Sequence, residues 1–324
     1  MCIRDRHDIK AGGLATQRSN VVCWDHNTGE ALSPIISWQD RRGAAQLAPL
    51  QPHAAQILST SGLFLTPHYG ASKLRWCLDN LPAVQEALAE QRLSFGPMAS
   101  FLTRHLVQEQ PHITDPVNAA RTQLLNLQTV DWDTTLLELF DVPREPLPEC
   151  VPSLHPFGML LEAATIPLRL VSGDQAAAMY AYGELQPNTA YLNVGTGAFL
   201  SRPSGEVRIS GRRLLTSLIL QNANETEYVL EGTANGAGSA LEWFADEYVI
   251  PDLMQQLPNW LQEPTDPDVL FLNGISGLGA PFWIADFPSR FEGKADPRAR
   301  AMAVVESIVF LIQASLDEML KLAS

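Results

Sequence analysis

The chain has 324 residues, of which 46% are hydrophobic and 18% are charged, and its formal net charge is −14. This composition indicates a soluble globular protein long enough for one large or two medium domains. The acidic balance excludes nucleic acid as the main partner, because binding a polyanion requires clustered Lys and Arg. The four cysteines are widely spaced, so we expect free thiols in a reducing cytoplasm.

The N-terminal part of the chain predicts strands followed by helices. The first eight residues, MCIRDRHD, are polar without a structural period, and we interpret them as a non-native or disordered start. From Ile9 onward, apolar and polar residues alternate around the sequence HNTGE, which predicts a hairpin or meander. Helical spacing follows in residues 39–58, interrupted by Pro49 and Pro52, in 69–90, with a boundary at Pro82, and in 97–108.

The remaining chain predicts two rounds of mixed strand and helix. Residues 117–140 predict a short helix or turn, a strand and a helix from Asp133, and 141–158 form an extended, proline-rich connection. Further strands are expected at 166–173, at 190–203 as two strands joined at glycines, at 228–232 and after 268. Helices are expected from Asp174, at 234–249 and over 296–323. The most apolar stretch, 301–316, is shorter than the ~20 residues that span a bilayer, so we predict no membrane segment. The order predicts an α/β fold of two lobes with a cleft between them.

Eight short sequences occur in an order and spacing typical of one family. They are ATQRSNVVCWDHNTGE, ISWQDRR, SKLRWCLDN, HITDPVNAART, SGDQAAAMYAYG, LNVGTGAF, LEGTANGAGSALEW and ISGLGAPFW. Together they resemble the FGGY carbohydrate kinases, the group that contains glycerol kinase and xylulokinase, over residues 9 to 324. The resemblance implies two actin-like, ribonuclease-H-like lobes, an N-terminal one over 9–184 and a C-terminal one over 185–324.

Two pieces of the family pattern are missing. The family begins with a strand and a D-x-G-T phosphate loop before the QR segment, and it continues into a glycine-rich adenosine-binding segment beyond residue 324. We therefore expect a fragment truncated at both ends, with both lobes incomplete and one sheet edge unpaired. We also expect this chain to be inactive as it stands.

Asp174 has two interpretations. It directly precedes a helix of small residues, where aspartate is a favoured N-cap. Phosphoryl transfer to a hydroxyl also needs a group that orients the attacking oxygen and accepts its proton. The resemblance implies the second role, because the family's catalytic aspartate lies in a G-D-Q motif, here Gly173 to Gln175. The two roles are compatible.

The resemblance implies three further substrate contacts, namely Arg18, Trp38 and Gln175. An arginine can donate several hydrogen bonds to hydroxyls, and a tryptophan can pack against the carbon face of a polyol. The alternatives are a surface arginine and a core aromatic residue. Asp40 is either another contact or a helix cap.

A second group of residues is implied to bind ATP. Gly195, Thr196 and Gly197 match a phosphate loop of the family, and Gly238 and Glu242 match positions near the nucleotide. Backbone amides and a hydroxyl at a turn suit phosphate oxygens. The alternatives are a tight glycine turn and a glycine that allows close helix packing. The resemblance implies ATP and Mg²⁺ as cofactors, and we expect no metal-binding cluster of protein side chains.

The implied activity is an ATP-dependent phosphotransferase with an alcohol acceptor. Ser19 replaces a glutamate that is usual in glycerol kinases, and Pro116 replaces a tyrosine that contacts glycerol. Glycerol, a related polyol and a ketose therefore all stay open as acceptors. The alternative is a non-catalytic actin-like protein that binds a sugar or a partner. We expect a cytoplasmic protein without nucleic-acid or membrane partners, and a homo-oligomer stays open.

Overall fold

A computed structural model describes residues 9–186, 188–210, 213–262, 269–284 and 286–322. The predicted non-native start, residues 1–8, lies outside the described residues. The chain forms two compact units. The first contains the chain up to Leu185 together with Ser204–Arg208 and Thr216–Val229, and the second contains Gln186–Pro203, Ile209–Leu215 and the chain from Leu230. The lobe boundary between 184 and 185 stays a prediction.

The first unit alternates short strands and helices. Its strands are β1 (Gly12–Thr16), β2 (Val21–Asp25), β3 (Leu93–Pro97), β4 (Ile113–Thr114), β5 (Leu125–Asn126), β6 (Asp131–Trp132), β7 (Glu149–Cys150), β8 (Leu154–Leu160) and β9 (Ala163–Gly173). Its α-helices are α1 (Ala54–Ser61), α2 (Gly70–Asn80), α3 (Pro82–Ala89), α4 (Met98–Leu106), α5 (Pro116–Ala120), α6 (Thr134–Phe140) and α7 (Asp174–Met179). Two 3₁₀ helices span Arg42–His53 and Tyr180–Tyr182, and the first accommodates both prolines that were predicted to interrupt a helix.

The later elements confirm the predicted mixture of strands and helices. They are β10 (Tyr191–Val194), β11 (Ala198–Gly205), β12 (Leu215–Gln221), β13 (Thr226–Ala234), α8 (Gly238–Glu247), α9 (Leu253–Trp260), β14 (Leu270–Leu272), β15 (Arg290–Glu292) and α10 (Pro297–Lys321). The sequence pattern missed the strands β3, β4, β7, β8, β12 and β15 and the helix α9. Strands β11, β12 and β13 each have residues in both units.

The predicted N-terminal hairpin is only partly correct. Its turn forms, because Oδ1 of Asp25 accepts hydrogen bonds from the backbone N–H groups of Asn27 and Thr28 at 2.8 and 3.0 Å. The chain after the turn pairs with β2 through isolated bridges, which join Val21 to Ile36 and Trp24 to Ala31. Instead, β2 pairs antiparallel with β3, and every residue of both strands is buried. A fully buried strand needs a partner along its whole length, which β3 supplies.

The core of the first unit lies on the sheet in the order β1-β9-β8. Strand β9 pairs parallel with β1 and antiparallel with β8. The apolar side chains of β8 and β9 pack with residues of α4 and of the following loops in one buried cluster, made of Ala99, Val107, Val151, Phe157, Leu168 and Val171. In the described part of the chain, β1 forms one edge of this sheet.

Helix α10 organises the core of the second unit. Asp296 caps it by accepting a hydrogen bond from the backbone N–H of Ala299 at 2.9 Å, and Pro297 occupies its first turn. Its buried face packs against α8, α9 and β14. Aromatic rings join β14 to α8 and β15: Phe271 stacks on Trp243 at 5.3 Å and contacts Phe291 at 4.6 Å between ring centroids.

The membrane prediction requires a correction at α10. This helix has 25 residues, and the mean hydropathy of its most apolar window is 1.6, so by length and composition it could cross a bilayer. The sequence analysis considered only residues 301–316, which are too few to span a bilayer, whereas the helix extends from Pro297 to Lys321. Within that window 44% of the helix is buried against the protein. The core helix of a soluble protein has the same features, so this observation is weak evidence for a membrane segment.

Asp115 is a fully buried carboxylate that caps α5. Its Oδ2 accepts a hydrogen bond from the backbone N–H of Asn118 at 3.0 Å, and its Oδ1 accepts one from the Asn118 side chain at 2.7 Å. Asn118 in turn accepts a hydrogen bond from the hydroxyl of Thr16 at 3.1 Å. Burial raises the pKa of Asp115 to about 6, because it disfavours the charged form.

Gly62 should be intolerant of substitution. It ends α1 with a φ of +74°, and a Cβ there would overlap the carbonyl oxygen of Thr216 and lie 2.5 Å from Cδ1 of Leu127. We expect Gly62→Ala to lower the unfolding free energy by more than ~2 kcal/mol, as left-handed strain adds to overpacking. Gly183 is the control, because its φ is +96° and no atom lies within 4 Å of its Cβ position. Chemical denaturation giving equal losses would contradict the proposed clash.

Asp115 should make stability depend on pH. Its pKa is higher in the folded chain than in an unfolded one, so folding takes up a proton between about pH 4 and pH 6. Relative to Asp115→Asn, which does not titrate, the wild type should therefore lose about 2 kcal/mol of unfolding free energy as pH rises from 4 to 7. Denaturant titrations of both proteins at several pH values measure this difference. A wild type that gains stability over the variant in that range would show the opposite sign.

Candidate functional site

The parallel pairing of β1 and β9 brings two predicted substrate contacts together. Thr16 lies opposite Gly173, so the residues that follow both strands lie at the same sheet edge. Arg18 follows β1, and its Nη2 donates a hydrogen bond to Oε1 of Gln175, which follows β9. A Cβ on Gly173 would lie 2.5 Å from Cγ and Cδ of Arg18. Glycine at this position therefore lets the arginine cross the start of α7.

Asp174 is the first residue of α7, and the predicted N-cap role is wrong. The N-cap is Gly173, with φ −78° and ψ 145°, and no side-chain cap hydrogen bond forms. The helix begins one residue earlier than a cap at Asp174 requires, because the extended chain of β9 ends at Gly173 and Asp174 already belongs to the helix. Oδ1 of Asp174 accepts a hydrogen bond from the backbone N–H of Gln175 at 2.8 Å. Asp174 is exposed, and it directly precedes Gln175, the hydrogen-bond partner of Arg18.

Trp38 is tied to the same turn through Asn20. The backbone N–H of Trp38 donates to Oδ1 of Asn20 at 2.7 Å, and Nδ2 of Asn20 donates to Oε1 of Gln17 at 3.1 Å. The Trp38 side chain is 39% exposed, which does not fit a core aromatic residue. Its ring lies 6.5 Å from the ring of His68, measured between centroids. Arg18, within the turn, and Trp38 are thus held by one short hydrogen-bonded segment.

Asp40 has a local structural partner. Both of its carboxylate oxygens contact the guanidinium of Arg42, at 2.7 to 3.0 Å, and Oδ1 also accepts the backbone N–H of Arg42 at 2.8 Å. The Arg42 hydrogen bonds lower the pKa of Asp40. Arg42 in turn lies 4.7 Å over the ring of Trp76. The predicted cap role is wrong, because the N-cap of the following 3₁₀ helix is Arg41, but Asp40 does bind the backbone N–H and the guanidinium of Arg42, the first residue of that helix.

Lys73 is a residue that the sequence analysis missed. It lies on α2 and is fully buried, and its Nζ donates to the backbone carbonyls of Ser19 and His68 at 3.1 and 2.7 Å. Burial lowers the pKa of Lys73 to about 8 and also lowers the pKa of His68. A signal was present in the sequence. Lys73 precedes Cys77 by four residues, which puts it on the apolar face of the predicted helix.

In the second unit, the glycine turn forms as predicted between β10 and β11. Val194 pairs with Ala198 across the turn, and the backbone N–H of Gly195 donates to the carbonyl of Gly197 at 2.8 Å. The side chain of Thr196, at the tip, is exposed. The turn is therefore a closed loop that presents one hydroxyl to solvent.

The first residues of α8 bind the carbonyl groups of this turn. The backbone N–H of Gly238 donates to the carbonyl of Gly195 at 2.8 Å. Those of Ala237 and Ser239 each donate to the carbonyl of Thr196 at 3.1 Å, and the Ser239 hydroxyl adds a bond at 3.0 Å. A Cβ on Gly238 would lie 2.7 Å from the Gly195 oxygen. Gly238 is therefore required for the close approach of helix and turn.

The arrangement suits an anion chemically. The start of a helix carries partial positive charge, and α8 begins against an exposed glycine turn with a hydroxyl. Glu242 is exposed and lies four residues after Gly238, on the same helix face. The structure describes no hydrogen bond between Glu242 and the turn, so its role near a nucleotide stays a prediction.

Asn273 supports the segment before α8 and was also missed. It is buried, and its Nδ2 donates to the carbonyl of Gly236 at 2.8 Å and to Oγ of Ser307 at 3.1 Å. A Cβ on Gly236 would lie 2.6 Å from Oδ1 of Asn273. The sequence signal was a polar residue directly after the apolar strand β14.

Neither a cluster of metal-binding side chains nor the surface concavity coincides with the predicted site residues in the described part of the chain. Within the described ranges, no group of three or more His, Cys, Asp or Glu side chains is placed to hold a metal ion. A surface concavity of about 600 Å³ lies in the first unit, near Arg75, Trp132 and Arg144. None of the predicted site residues lines it, so the candidate site rests on the contacts described above.

Several known kinases resemble the chain in sequence. Glycerol kinase 1 of Pseudomonas aeruginosa is 35% identical over 300 residues, which is 90% of this chain and 58% of that protein. The glycerol kinase of Agrobacterium fabrum is 34% identical over 325 residues, covering 97% of this chain and 65% of its own length. The chain therefore spans less than two thirds of these relatives.

Solved structures of kinases have the same fold. Plasmodium falciparum glycerol kinase with ADP superposes with a TM-score of 0.89 at 25% identity, over 97% of this chain and 65% of that one. A xyloylose kinase from Brucella ovis gives a TM-score of 0.84 at 23% identity, over 99% of this chain and 67% of that one. This likeness confirms the predicted α/β, actin-like fold class.

A family model identifies the chain more directly. The model describes the N-terminal domain of the FGGY family of carbohydrate kinases, and it matches residues 3–179. The match includes the Arg18 turn, Trp38 and the Gly173–Gln175 segment. Since it covers more than half of the sequence, the chain belongs to the FGGY family of carbohydrate kinases.

Proposed function

We propose that the protein to which this chain belongs is an ATP-dependent kinase that transfers the γ-phosphate of ATP to a hydroxyl of glycerol, a related polyol or a ketose. The observation that carries the proposal is the arrangement of residues at the end of the sheet where β1 and β9 both stop. There, the exposed Asp174 directly precedes Gln175, whose side chain accepts a hydrogen bond from Arg18. The glycerol kinase relatives support the reaction class.

Each residue at this edge has a chemical task in the proposed reaction. Asp174 orients the attacking hydroxyl and accepts its proton as the new bond to the γ-phosphorus forms and the bond from that phosphorus to the ADP oxygen breaks. Arg18 donates hydrogen bonds to acceptor oxygens, and Gln175 fixes the direction of its guanidinium. The exposed ring of Trp38 packs against the carbon face of the acceptor. These roles are proposals from geometry and chemistry.

The glycine turn and the start of α8 fit the phosphates of ATP. The first amides of α8 already donate to carbonyls of the turn, so we assign the phosphate contact to the exposed Thr196 and to the partial positive charge of the helix start. Gly195, Gly197 and Gly238 are assigned to the same phosphate site. ATP supplies the transferable phosphoryl group, with Mg²⁺ neutralising its charge. We assign the ion to the nucleotide phosphates.

Location and partners follow from the proposed reaction. Because ATP and small polyols are cytoplasmic metabolites, we propose a cytoplasmic enzyme whose partners are these small molecules. The net charge of −14 disfavours nucleic acid. The alternative, a non-catalytic sugar-binding protein, is not favoured, because the relatives with matching sequences are kinases.

Replacing the proposed base should separate activity from folding. In the full-length gene product, we expect Asp174→Asn to lower kcat by ~10²–10⁴, since a general base contributes that factor. The unfolding free energy should change by less than ~0.5 kcal/mol, as Asp174 is exposed and is not the helix cap. A coupled assay of ADP release with glycerol, erythritol and several ketoses measures both rate and acceptor choice. Glu206→Gln, another exposed carboxylate, is the control, and near-normal turnover in Asp174→Asn would disprove the assignment.

Moving the glycine turn should weaken nucleotide binding. Gly238→Ala places a methyl group 2.7 Å from the carbonyl oxygen of Gly195, so either the turn or α8 must shift. We expect the Kd for ATP to rise ~10-fold or more, because misplacement by about 1 Å has effects of that size. Isothermal titration calorimetry measures the affinity without requiring turnover. Gly205→Ala is the control, since its φ of +62° strains the backbone but no atom lies within 4 Å of its Cβ position. An unchanged Kd in Gly238→Ala would remove the turn from the nucleotide site.

A further inference from the structure

Lys73 is a buried cation that contacts two separate segments of the first unit. Its side chain is fully buried on α2. Nζ donates to the carbonyl of Ser19 at 3.1 Å and to that of His68 at 2.7 Å. Burying an ammonium is unfavourable unless hydrogen bonds compensate for the lost hydration. The two carbonyls provide this compensation, so their positions and that of the lysine depend on each other.

The first contact controls the turn that carries Arg18. Ser19 has a φ of +65°, a left-handed conformation that strains a non-glycine residue. Such a conformation persists when surrounding contacts enforce it. The hydrogen bond from Lys73 to the Ser19 carbonyl is such a contact, and Asn20 supplies another from the next residue. Arg18 immediately precedes this strained residue, so the direction of its side chain depends on the turn.

The second contact controls the neighbour of Trp38. His68 is held through its backbone carbonyl by Lys73, and its ring Nδ1 lies 3.3 Å from the carbonyl of Trp38. The two rings are 6.5 Å apart. A shift of the His68 backbone would therefore move the surface on which the Trp38 indole rests.

We propose that Lys73 is a positioning residue for the phosphoryl acceptor. Through one ammonium group it holds the Arg18 turn and the Trp38–His68 contact in a fixed relation, so that both present their side chains to the same small molecule. The assignment rests on the proposed function, because it takes Arg18 and Trp38 as acceptor contacts. Lys73 does not touch the acceptor, since its Nζ is buried and directed at two backbone carbonyls.

The test compares Lys73→Met with Leu74→Ala in the full-length gene product. Methionine keeps most of the side-chain volume and removes the donors. Leu74 is the adjacent residue on α2 and is equally buried, so its truncation disturbs packing without removing a hydrogen bond to either carbonyl. We expect Lys73→Met to raise the KM for the acceptor ~10-fold while kcat and the KM for ATP change less than twofold, the pattern of lost acceptor positioning. Leu74→Ala should leave the acceptor KM unchanged.

Hydrogen exchange provides a readout that needs no activity. In Lys73→Met, the backbone amides of residues 17–20 and 68–69 should exchange ~10-fold faster, while those of Leu74→Ala should not show this local change. Lys73→Gln keeps a polar side chain whose amide nitrogen can donate a hydrogen bond, so we expect it to fold even where Lys73→Met does not. Its acceptor KM and its exchange rates at residues 17–20 and 68–69 should lie between those of the wild type and Lys73→Met.

The outcomes separate the two proposals. Unchanged exchange at residues 17–20 in both lysine variants, or an equal rise in acceptor KM in Leu74→Ala, would overturn the positioning role. If the wild type phosphorylates no polyol or ketose, the proposed function is disproved. The exchange measurements are independent of activity. Faster exchange at residues 17–20 and 68–69 in the lysine variants would still support the role of Lys73 in fixing these two segments.

Discussion

The parallel pairing of β1 with β9 is the interaction on which the candidate acceptor site depends. It joins segments that are more than 150 residues apart in the chain, since Thr16 lies opposite Gly173. The two strands therefore end at the same end of the sheet. Arg18 follows the first strand there, and Asp174 follows the second. The absence of a side chain at Gly173 is what allows the arginine to reach Gln175 across the helix start. A small shift in this register would separate Arg18 from Gln175.

Buried polar groups stabilise the loops in both units, where the apolar core cannot reach. In the first unit, Lys73 and Asn20 bind backbone groups of the substrate-side turns. In the second, Asn273 binds the chain before α8, and the first amides of α8 bind the glycine turn. Each group is hydrogen-bonded, as a buried polar group must be to avoid a loss of stability. These buried polar groups therefore fix the geometry of the loops that carry the candidate site.

Local patterns predicted most of the elements but not the pairing between them. The small-residue helix after Gly173 and the hairpin around Thr196 followed from composition and glycine placement, within a residue or two. The partner of β1 did not follow, because alternation of apolar residues carries no information about distant strands. Strand β3 was missed for a related reason: it is short and buried on both faces, so it shows no alternation. Lys73 was missed because a lysine on an apolar helix face is usually interpreted as a solvent-exposed residue.

The chain path between the units has a consequence for any attempt to divide the protein. The first unit is not one continuous stretch, because Thr216–Val229 returns to it after the chain has entered the second unit. In that returning segment the Thr216 backbone N–H donates to the carbonyl of Gly62, and the Tyr228 hydroxyl donates to the carbonyl of Leu127. A polypeptide ending at Leu185 would leave both carbonyls without these donors and expose the end of α1. Truncating the chain at one position therefore cannot separate the two units, because segments of the two units alternate along the sequence.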